Sequence, residues 1–500
     1  PIKTFNQLNE AYKDFLDAQF TFRNDKINKA AKDALSKECQ LLKGPFIQAS
    51  MPYKGTHSLK ELVKEGVLNK NIKNAFTYDE YAVYKRYNHQ EKAIRLVNNN
   101  KSIIVASGTG SGKTECFFIP IINELLNELD NNILSPGVRA LLIYPMNALA
   151  NDQIGRLRES LKNLPQITFG RYIGETPEGN RENIQKGRKE ANERYKRVNG
   201  SDALDNELLT RAEMEARPPH ILITNYAMLE YMLLRATSQK IFKGKYSDKF
   251  KFLVLDEAHT YKGAHGTEVA MLIRRLKEAV FGRIDNCLTC IGTSATLGGE
   301  EGEIEKVVDF AKDLFNEYFD KNSIIQSDRL PLLEVSGQIK DLSYYQQLFA
   351  EYQNYNKDDK SAKLYSILSQ DKFVYEIRKR ILQKTMTIQE LSDELKHDLK
   401  IIDTNLEDTI AKTIELCGEA ISPTDGNPLI NAKYHVFART LEGGFITFAD
   451  DVKIFTDRKK EYNGYKVYEL LNCMKCGQEY IVGSVDVING EEYLIPTEDD

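Results

Sequence analysis

Residues 106–115 read ASGTGSGKTE. An apolar run enters a glycine-rich turn, and a helical pattern leaves it. Glycines let successive backbone N–H groups close around phosphate oxygens, and the helix N-terminus adds its positive end. Ser107, Gly108, Thr109, Gly110, Ser111, Gly112, Lys113 and Thr114 therefore form a candidate phosphate loop. The Lys113 ammonium can reach β and γ phosphates, and the Thr114 hydroxyl can ligate Mg2+. The strict pattern has glycine where this chain has Ser107. Downstream, FLVLDEAH (252–259) runs four apolar residues into two carboxylates. Burying such a pair is costly unless it serves a cation or a reaction. With a phosphate loop upstream, Asp256 is the candidate that holds Mg2+ through water. Glu257 is the candidate that orients and deprotonates an attacking water.

Two smaller signals flank these. Gln90, in YNHQEKAI (87–94), precedes the loop, and its carboxamide can donate to and accept from an adenine edge. TSAT (293–296) ends a later apolar run. Its Ser294 and Thr296 hydroxyls, with His259, are candidates for coupling the carboxylates to a second site.

These groups need a rigid frame. Strands are expected at 102–107, 139–145, 167–174, 220–225, 252–256 and 287–294, with helix-like segments between most of them. That alternation predicts an α/β fold with a parallel sheet wrapped by helices, and chemistry at the carboxyl ends of the strands. Residues 178–217 break the alternation with nine basic and nine acidic residues and read as an exposed insertion. The expected division is an N-terminal helical region at 1–75, an ATP-binding lobe at 76–330, a helical insertion at 331–430 and a β-rich insertion at 431–500. The length, 500 residues, exceeds one hydrophobic core. Net charge is −5, so any nucleic-acid surface must be local. No apolar run approaches the ~18 residues that span a bilayer. Seven cysteines in this length suit a reducing compartment, and a cytoplasmic location is expected, with no membrane partner.

The motifs HQ, SGTGSGKT, YPMNALANDQ, ITNYAMLEY, DEAH and TSAT occur in this order. Over residues 80–300 the chain resembles superfamily 2 DEAD/DEAH-box helicases. YPMNALANDQIGRLRE, PPHILITNYAMLEYMLLR, LDEAHTYKGAHGTEVAMLIRRL and the amino-terminal GPFIQASMPYKGTHSLKELVKEGVL are similar to the YprA/Hrq1-like, DUF1998-associated group. The large helicases of phage-defence systems of the Druantia and DISARM type also resemble it. The resemblance implies a RecA-like lobe, ATP and Mg2+ as cofactors, and an ATP hydrolase acting as a DNA helicase or translocase in anti-phage defence or DNA repair. It also implies partners: DNA, single-stranded or a duplex with a tail, and other defence-system subunits. By the same resemblance Pro145, Asn147, Gln153, Thr224 and Asn225 lie near a nucleic-acid backbone. An ATP-gated clamp that hydrolyses ATP without strand separation, and an RNA helicase, are the alternatives.

Cys473 and Cys476, in LNCMKCGQEY (471–480), have the spacing of half a zinc knuckle. The pair is open to two readings, a zinc site or a metal-free turn. The missing ligands would come from His435 or from sequence after residue 500. Cys287 and Cys290 share the spacing but read as buried strand cysteines. A second RecA-like lobe with its QxxGRxxR arginine motif is not visible. The chain is therefore expected to be the amino-terminal part of a longer protein.

Overall fold

The computed structural model describes residues 2–35, 42–108, 110–243, 246–285, 287–295, 301–353, 357–401, 405–424, 426–439, 441–448, 451–473, 475–488 and 491–496. The chain forms two compact units. One comprises residues 52–330, and the other residues 1–51 with 331–500.

The 52–330 unit is built on one eight-stranded sheet. Its strands are β1 (Ile103–Ala106), β2 (Ala140–Tyr144), β3 (Phe169–Arg171), β4 (Glu207–Leu208), β5 (Ile221–Asn225), β6 (Phe252–Leu255), β7 (Thr289–Ser294) and β8 (Ile324–Gln326). Their order is β8-β1-β7-β6-β2-β5-β3-β4, and every pairing is parallel. The helices that position the site are α1 (Asn88–Asn98), α2 (Glu115–Asp130), α3 (Asn147–Leu161), α4 (Ile184–Asn199), α5 (Arg211–Ala216), α6 (Tyr226–Leu234) and α7 (Gly263–Phe281). The fold is a RecA-like parallel sheet flanked by helices, as the sequence predicts.

The near-continuous apolar strands follow from burial on both faces. Side chains alternate with period two. Ile103, Val105, Leu142 and Val254 enter one core with Phe117 and Ile122 of α2. Ile104, Leu141, Leu253 and Cys290 enter the opposite core with Leu272 and Ile273 of α7. Each fully buried aliphatic side chain contributes roughly 1.5–3 kcal/mol relative to exposure. The two cores thus pin the strand tips that carry the chemistry.

Three expectations change. Residues 178–217 are not simply an exposed insertion. They contain α4, the edge strand β4 and α5, and they bury Glu207, Glu213 and Glu215. Arg158 of α3 grips Glu207 with two bonds of 2.7 and 2.8 Å, Arg188 meets Glu213 at 2.9 Å, and Arg181 meets Glu215 at 2.9 Å. These three carboxylates are paired inward while most of the remaining charge stays on exposed faces, a division that composition alone does not reveal. The 1–75 region is also divided: Leu59, Leu62 and Ile72 belong to the core beneath the sheet. The strand Leu42–Ser50 instead pairs antiparallel with Asn431–Ala438 and Met386–Thr387 in the other unit. Lastly, β3 is shorter than the run expected at 167–174.

In the second unit, Ile47 packs with the helices Lys372–Gln383, Ile388–Leu399 and Leu406–Glu419. A four-stranded sheet, which includes Gly444–Phe448 and Tyr468–Asn472, carries the β-rich part. Among the described residues, no helix is long and apolar enough to cross a membrane.

One half-buried polar cluster in the 52–330 unit, centred on the buried Glu91, yields a stability prediction. Glu91 of α1 accepts from Arg95 at 2.8 Å and pairs with His57 at 2.9 Å. Burial pushes its carboxyl up, but hydrogen bonds from Thr56, His57 and Arg95 outweigh this and hold it at about 2. A depressed carboxyl stabilises the fold above the ordinary glutamate range and loses that contribution as pH falls through the depressed value. Denaturant melts from pH 5 to pH 2 should therefore show a steeper loss of stability in the wild type than in Glu91→Gln. Parallel curves would contradict the assignment.

Candidate nucleotide and nucleic-acid site

The phosphate loop leaves β1 at the carboxyl end of the sheet and enters α2. Gly110 and Gly112 adopt φ of +74° and +70°, the left-handed region that favours glycine. Four contacts set the loop's shape. Ser107 N donates to Ser294 O at 3.0 Å, and the Ser107 and Ser111 hydroxyls lie 2.6 Å apart. His89 Nε2 lies 2.8 Å from Ser111 O, and Gln90 Nε2 donates to Gly112 O at 3.0 Å. A side chain on Gly112 would run into the Gln90 amide. Thr109 lies outside the described residues, and Thr114 is half-buried at the start of α2.

Gln90 is therefore placed differently from a free base-reading amide. It is buried, its Oε1 accepts from Tyr87 N at 2.9 Å, and its Nε2 is bonded to the loop. A cavity of about 610 Å3 lies at this end of the loop, beside Thr114. Phe76, Glu115, Phe118 and Arg156 are among its walls. Sequence reasoning passed over these four, since neither motif nor spacing marks them.

Strand order explains how the acidic tip meets the loop. β7 lies between the loop strand β1 and the DEAH strand β6. Its end touches both. Ser294 O accepts from Ser107, while the Thr293 hydroxyl donates to Asp256 Oδ1 and accepts from Glu257 N at 3.2 Å. Burial pushes the Asp256 carboxyl up, and the neighbouring Glu257 pushes the same way, against the Thr293 bond. Glu257 has φ +49° and ψ +47°, a left-handed conformation that costs an L-residue roughly 1–2 kcal/mol. Its Oε1 lies 3.5 Å from Lys113 Nζ, and its Oε2 lies 3.2 Å from His259 Nδ1. The same His259 nitrogen is 3.2 Å from Ser294 Oγ. The chain thus brings Lys113, Asp256, Glu257, His259 and Ser294 together. Thr293 is an addition that the sequence reading missed, although it opens the quoted TSAT. Thr296 lies outside the described residues. Two buried phenols, Tyr144 and Tyr261, have hydroxyls with no hydrogen-bond partner among the described residues; burial pushes both up, and Asp256 adds to it.

Oxygen donors of this kind suit a hard cation such as Mg2+. A half-buried carboxylate beside a second one is stabilised by positive charge, so Asp256 and the Thr114 hydroxyl fit that ion.

The residues expected near a nucleic-acid backbone separate into two groups. Asn147 and Asn225 meet at the carboxyl ends of adjacent strands, with Asn225 Nδ2 donating to Asn147 Oδ1 at 2.8 Å. Asn225 also caps α6, and Pro145 and the exposed Met146 precede Asn147. Thr224 corrects the expectation. It is fully buried, and its hydroxyl donates to Tyr172 O at 2.7 Å, so it has no face for a phosphate. Gln153 is likewise buried in α3.

Cys473 and Cys476 sit on a tight turn. Cys473 N donates to Gln478 O and Gly477 N to Cys473 O, each at 2.8 Å, with Gly477 at φ +69°. Backbone N–H groups of Lys475 and Cys476 lower the Cys473 thiol. Two thiolates do not complete a tetrahedral zinc site. Among the described residues, no three His, Cys, Asp or Glu side chains come together to hold a metal. His435 is paired with Gln48 at 3.2 Å. Cys290 is buried in β7 and Cys287 half-buried just before it.

Residues 87–304 match the family model described as DEAD/DEAH box helicase, and the chain carries that domain over this range. The Druantia protein DruE of Escherichia coli (strain UMEA 4076-1) is 32% identical over 62% of this chain and 21% of its own length. The uncharacterized ATP-dependent helicase YprA of Bacillus subtilis (strain 168) is 30% identical over 42% of this chain and 23% of its own length. The chain thus spans less than a quarter of either relative. The solved structure of the DUF1998 helicase MrfA bound to DNA and AMPPNP is 20% identical, with a TM-score of 0.39, over 67% of this chain and 41% of that one.

The Thr293 geometry makes a prediction. Thr293→Val keeps shape but leaves the half-buried Asp256 carboxyl and Glu257 N–H without their partner. Such a loss costs about 1–3 kcal/mol, to be read in denaturant melts of the nucleotide-free protein. A change below about 0.5 kcal/mol would mean that the bond contributes nothing to the fold.

Proposed function

Taking a DEAD/DEAH helicase domain at residues 87–304 as premise, we propose that the protein is an ATP hydrolase that drives movement along DNA. The observation that carries this reading is the meeting of Lys113 with Glu257 at 3.5 Å across β7. A phosphate-seeking ammonium and a candidate base face one space at the carboxyl end of the sheet.

In this reading the backbone of Ser107–Thr114 cradles the phosphates, and Lys113 exchanges Glu257 for β and γ oxygens. Thr114, and Asp256 through water, would hold Mg2+, which would neutralise charge on the phosphates. Glu257, freed from Lys113, orients the attacking water and takes its proton. Phosphoryl transfer depends on such positioning and charge neutralisation more than on covalent help. The cavity beside Thr114, lined by Phe76 and Phe118, receives the base. Gln90 acts by fixing Gly112 beneath it. His259 and Ser294 link Glu257 to the end of β7 and so couple hydrolysis to strand binding. Asn147 and Asn225, with Pro145 and Met146, meet the nucleic-acid backbone, where amides contact phosphates without reading sequence. The protein acts in the cytoplasm in anti-phage defence, with DNA repair as the second setting. The likeness to the Druantia protein favours the first.

This reading is tested on the intact protein. Lys113→Ala and Glu257→Gln should each lower ATP turnover by at least about 10²-fold. Glu257→Gln should still retain ATP, whereas Lys113→Ala should bind it poorly. Wild-type turnover in Glu257→Gln would remove the base from the mechanism. Single-stranded DNA binding should weaken with salt at a slope of about −0.7 per phosphate neutralised and vary little with base sequence. One sequence bound far more tightly than all others would contradict backbone recognition. A strand-displacement assay separates a helicase from a clamp that only hydrolyses.

A further inference from the structure

The amino-terminal motif containing SMPYKG takes no part in the site described so far, yet Tyr53 places it against the phosphate loop. After β8, the chain returns beside residues 52–54. Leu330 N donates to Pro52 O and Lys54 N to Asp328 O, each at 2.9 Å, and Tyr53 and Arg329 form an antiparallel bridge. Tyr53 is 8% exposed, and its ring lies 5.1 Å from Tyr87 and 5.3 Å from His89, the residue that contacts Ser111 O. The Arg329 guanidinium lies 4.4 Å from the Tyr53 ring centre, and Nη2 donates to the Tyr53 hydroxyl at 3.0 Å. Both groups face the loop. A methyl built on Gly108 would be 3.5 Å from the Tyr53 hydroxyl and 3.8 Å from Arg329 Nη2.

We propose that Arg329 is a phosphate ligand supplied from within the 52–330 unit, held by Tyr53 to contact the terminal phosphate of a bound nucleoside triphosphate. This rests on the nucleotide-site reading above. The physical case has three parts. Arginine presents planar donors that match phosphate oxygens, and stacking on a buried ring restricts its rotamers before the ligand arrives. Gly108 belongs to the loop backbone that cradles phosphate oxygens. The cavity suited to a base opens at the other end of the loop, beside Thr114 and Glu115. The phosphate farthest from the base therefore lies nearest Gly108 and Arg329. Arg329 also sits at the end of the 52–330 unit, so the residues leaving the sheet would register whether a third phosphate is present.

The test is equilibrium binding of AMP-PNP with Mg2+ and of ADP with Mg2+ to the intact protein. Arg329→Ala should weaken AMP-PNP about tenfold, as expected for one charge-assisted hydrogen bond, and ADP less than about twofold. Tyr53→Phe keeps the ring and loses the hydroxyl, and should show a smaller loss with the same preference. Arg329→Lys should recover part of the AMP-PNP affinity, and it keeps the question answerable if Arg329→Ala does not fold. Unchanged AMP-PNP binding in Arg329→Ala, or equal losses for both nucleotides, would overturn the inference while leaving the nucleotide site intact. A wild-type protein that binds neither nucleotide would overturn the site reading and this inference together.

Discussion

The hydrogen bond from Thr293 to Asp256 is the contact on which the site's geometry depends. A half-buried carboxylate at a strand tip beside a second carboxylate is destabilised on its own. Thr293 satisfies it from the adjacent strand and also accepts from Glu257 N. This bond fixes the turn that holds Glu257 in a left-handed conformation, aimed at Lys113 on one side and His259 on the other. Because β7 lies between β1 and β6, its last residues reach the phosphate loop and the acidic turn at once.

The contacts around this bond differ in how readily they exchange. The Ser107, Ser111 and Gln90 bonds are short, largely buried and internal to the loop and its neighbours. The Lys113–Glu257 pair is long for a charged contact, at 3.5 Å, with both side chains partly exposed. Ion pairs with access to water are worth little on their own. In the proposed function, a polyanion entering the loop takes Lys113 without dismantling the frame and releases Glu257 from that contact. Asn147 and Asn225, at the ends of β2 and β5, lie on the same edge of the sheet as the phosphate loop, so the proposed strand contacts and the nucleotide site would share one layer.

Much of the central sheet was legible because buried parallel strands are written as uninterrupted apolar runs. The runs at 102–107, 139–145, 220–225 and 252–256 match β1, β2, β5 and β6 closely. The two-residue strand β4 was not, since Glu207 and Leu208 sit in a charged stretch whose pairing with Arg158 appears only in three dimensions. The pairing of Leu42–Ser50 with Asn431–Ala438 was equally hidden, because nothing local encodes a partner so far along the chain. In the candidate site, Lys113, Asp256 and Glu257 stood out in the sequence because phosphate and metal chemistry restricts residue type, and the fold brings them together. Thr293 was overlooked in favour of Ser294 and Thr296. Thr224 was misjudged because polarity in sequence does not say which face of a strand a hydroxyl occupies. Phe76, Arg156 and Arg329 left no signal in the sequence, and Tyr53 lay in the quoted amino-terminal stretch with no role assigned to it, since only the fold brings these side chains to the loop.

The central claim is that the phosphate loop and the DEAH tip form one nucleotide site, braced by β7. Its most direct test is a structure of the intact protein with AMP-PNP and Mg2+. The account predicts that Lys113 Nζ moves from Glu257 to phosphate oxygens while the Thr293–Asp256 bond stays in place. A nucleotide bound away from residues 107–114, or a Lys113–Glu257 pair left intact beside a bound triphosphate, would contradict it.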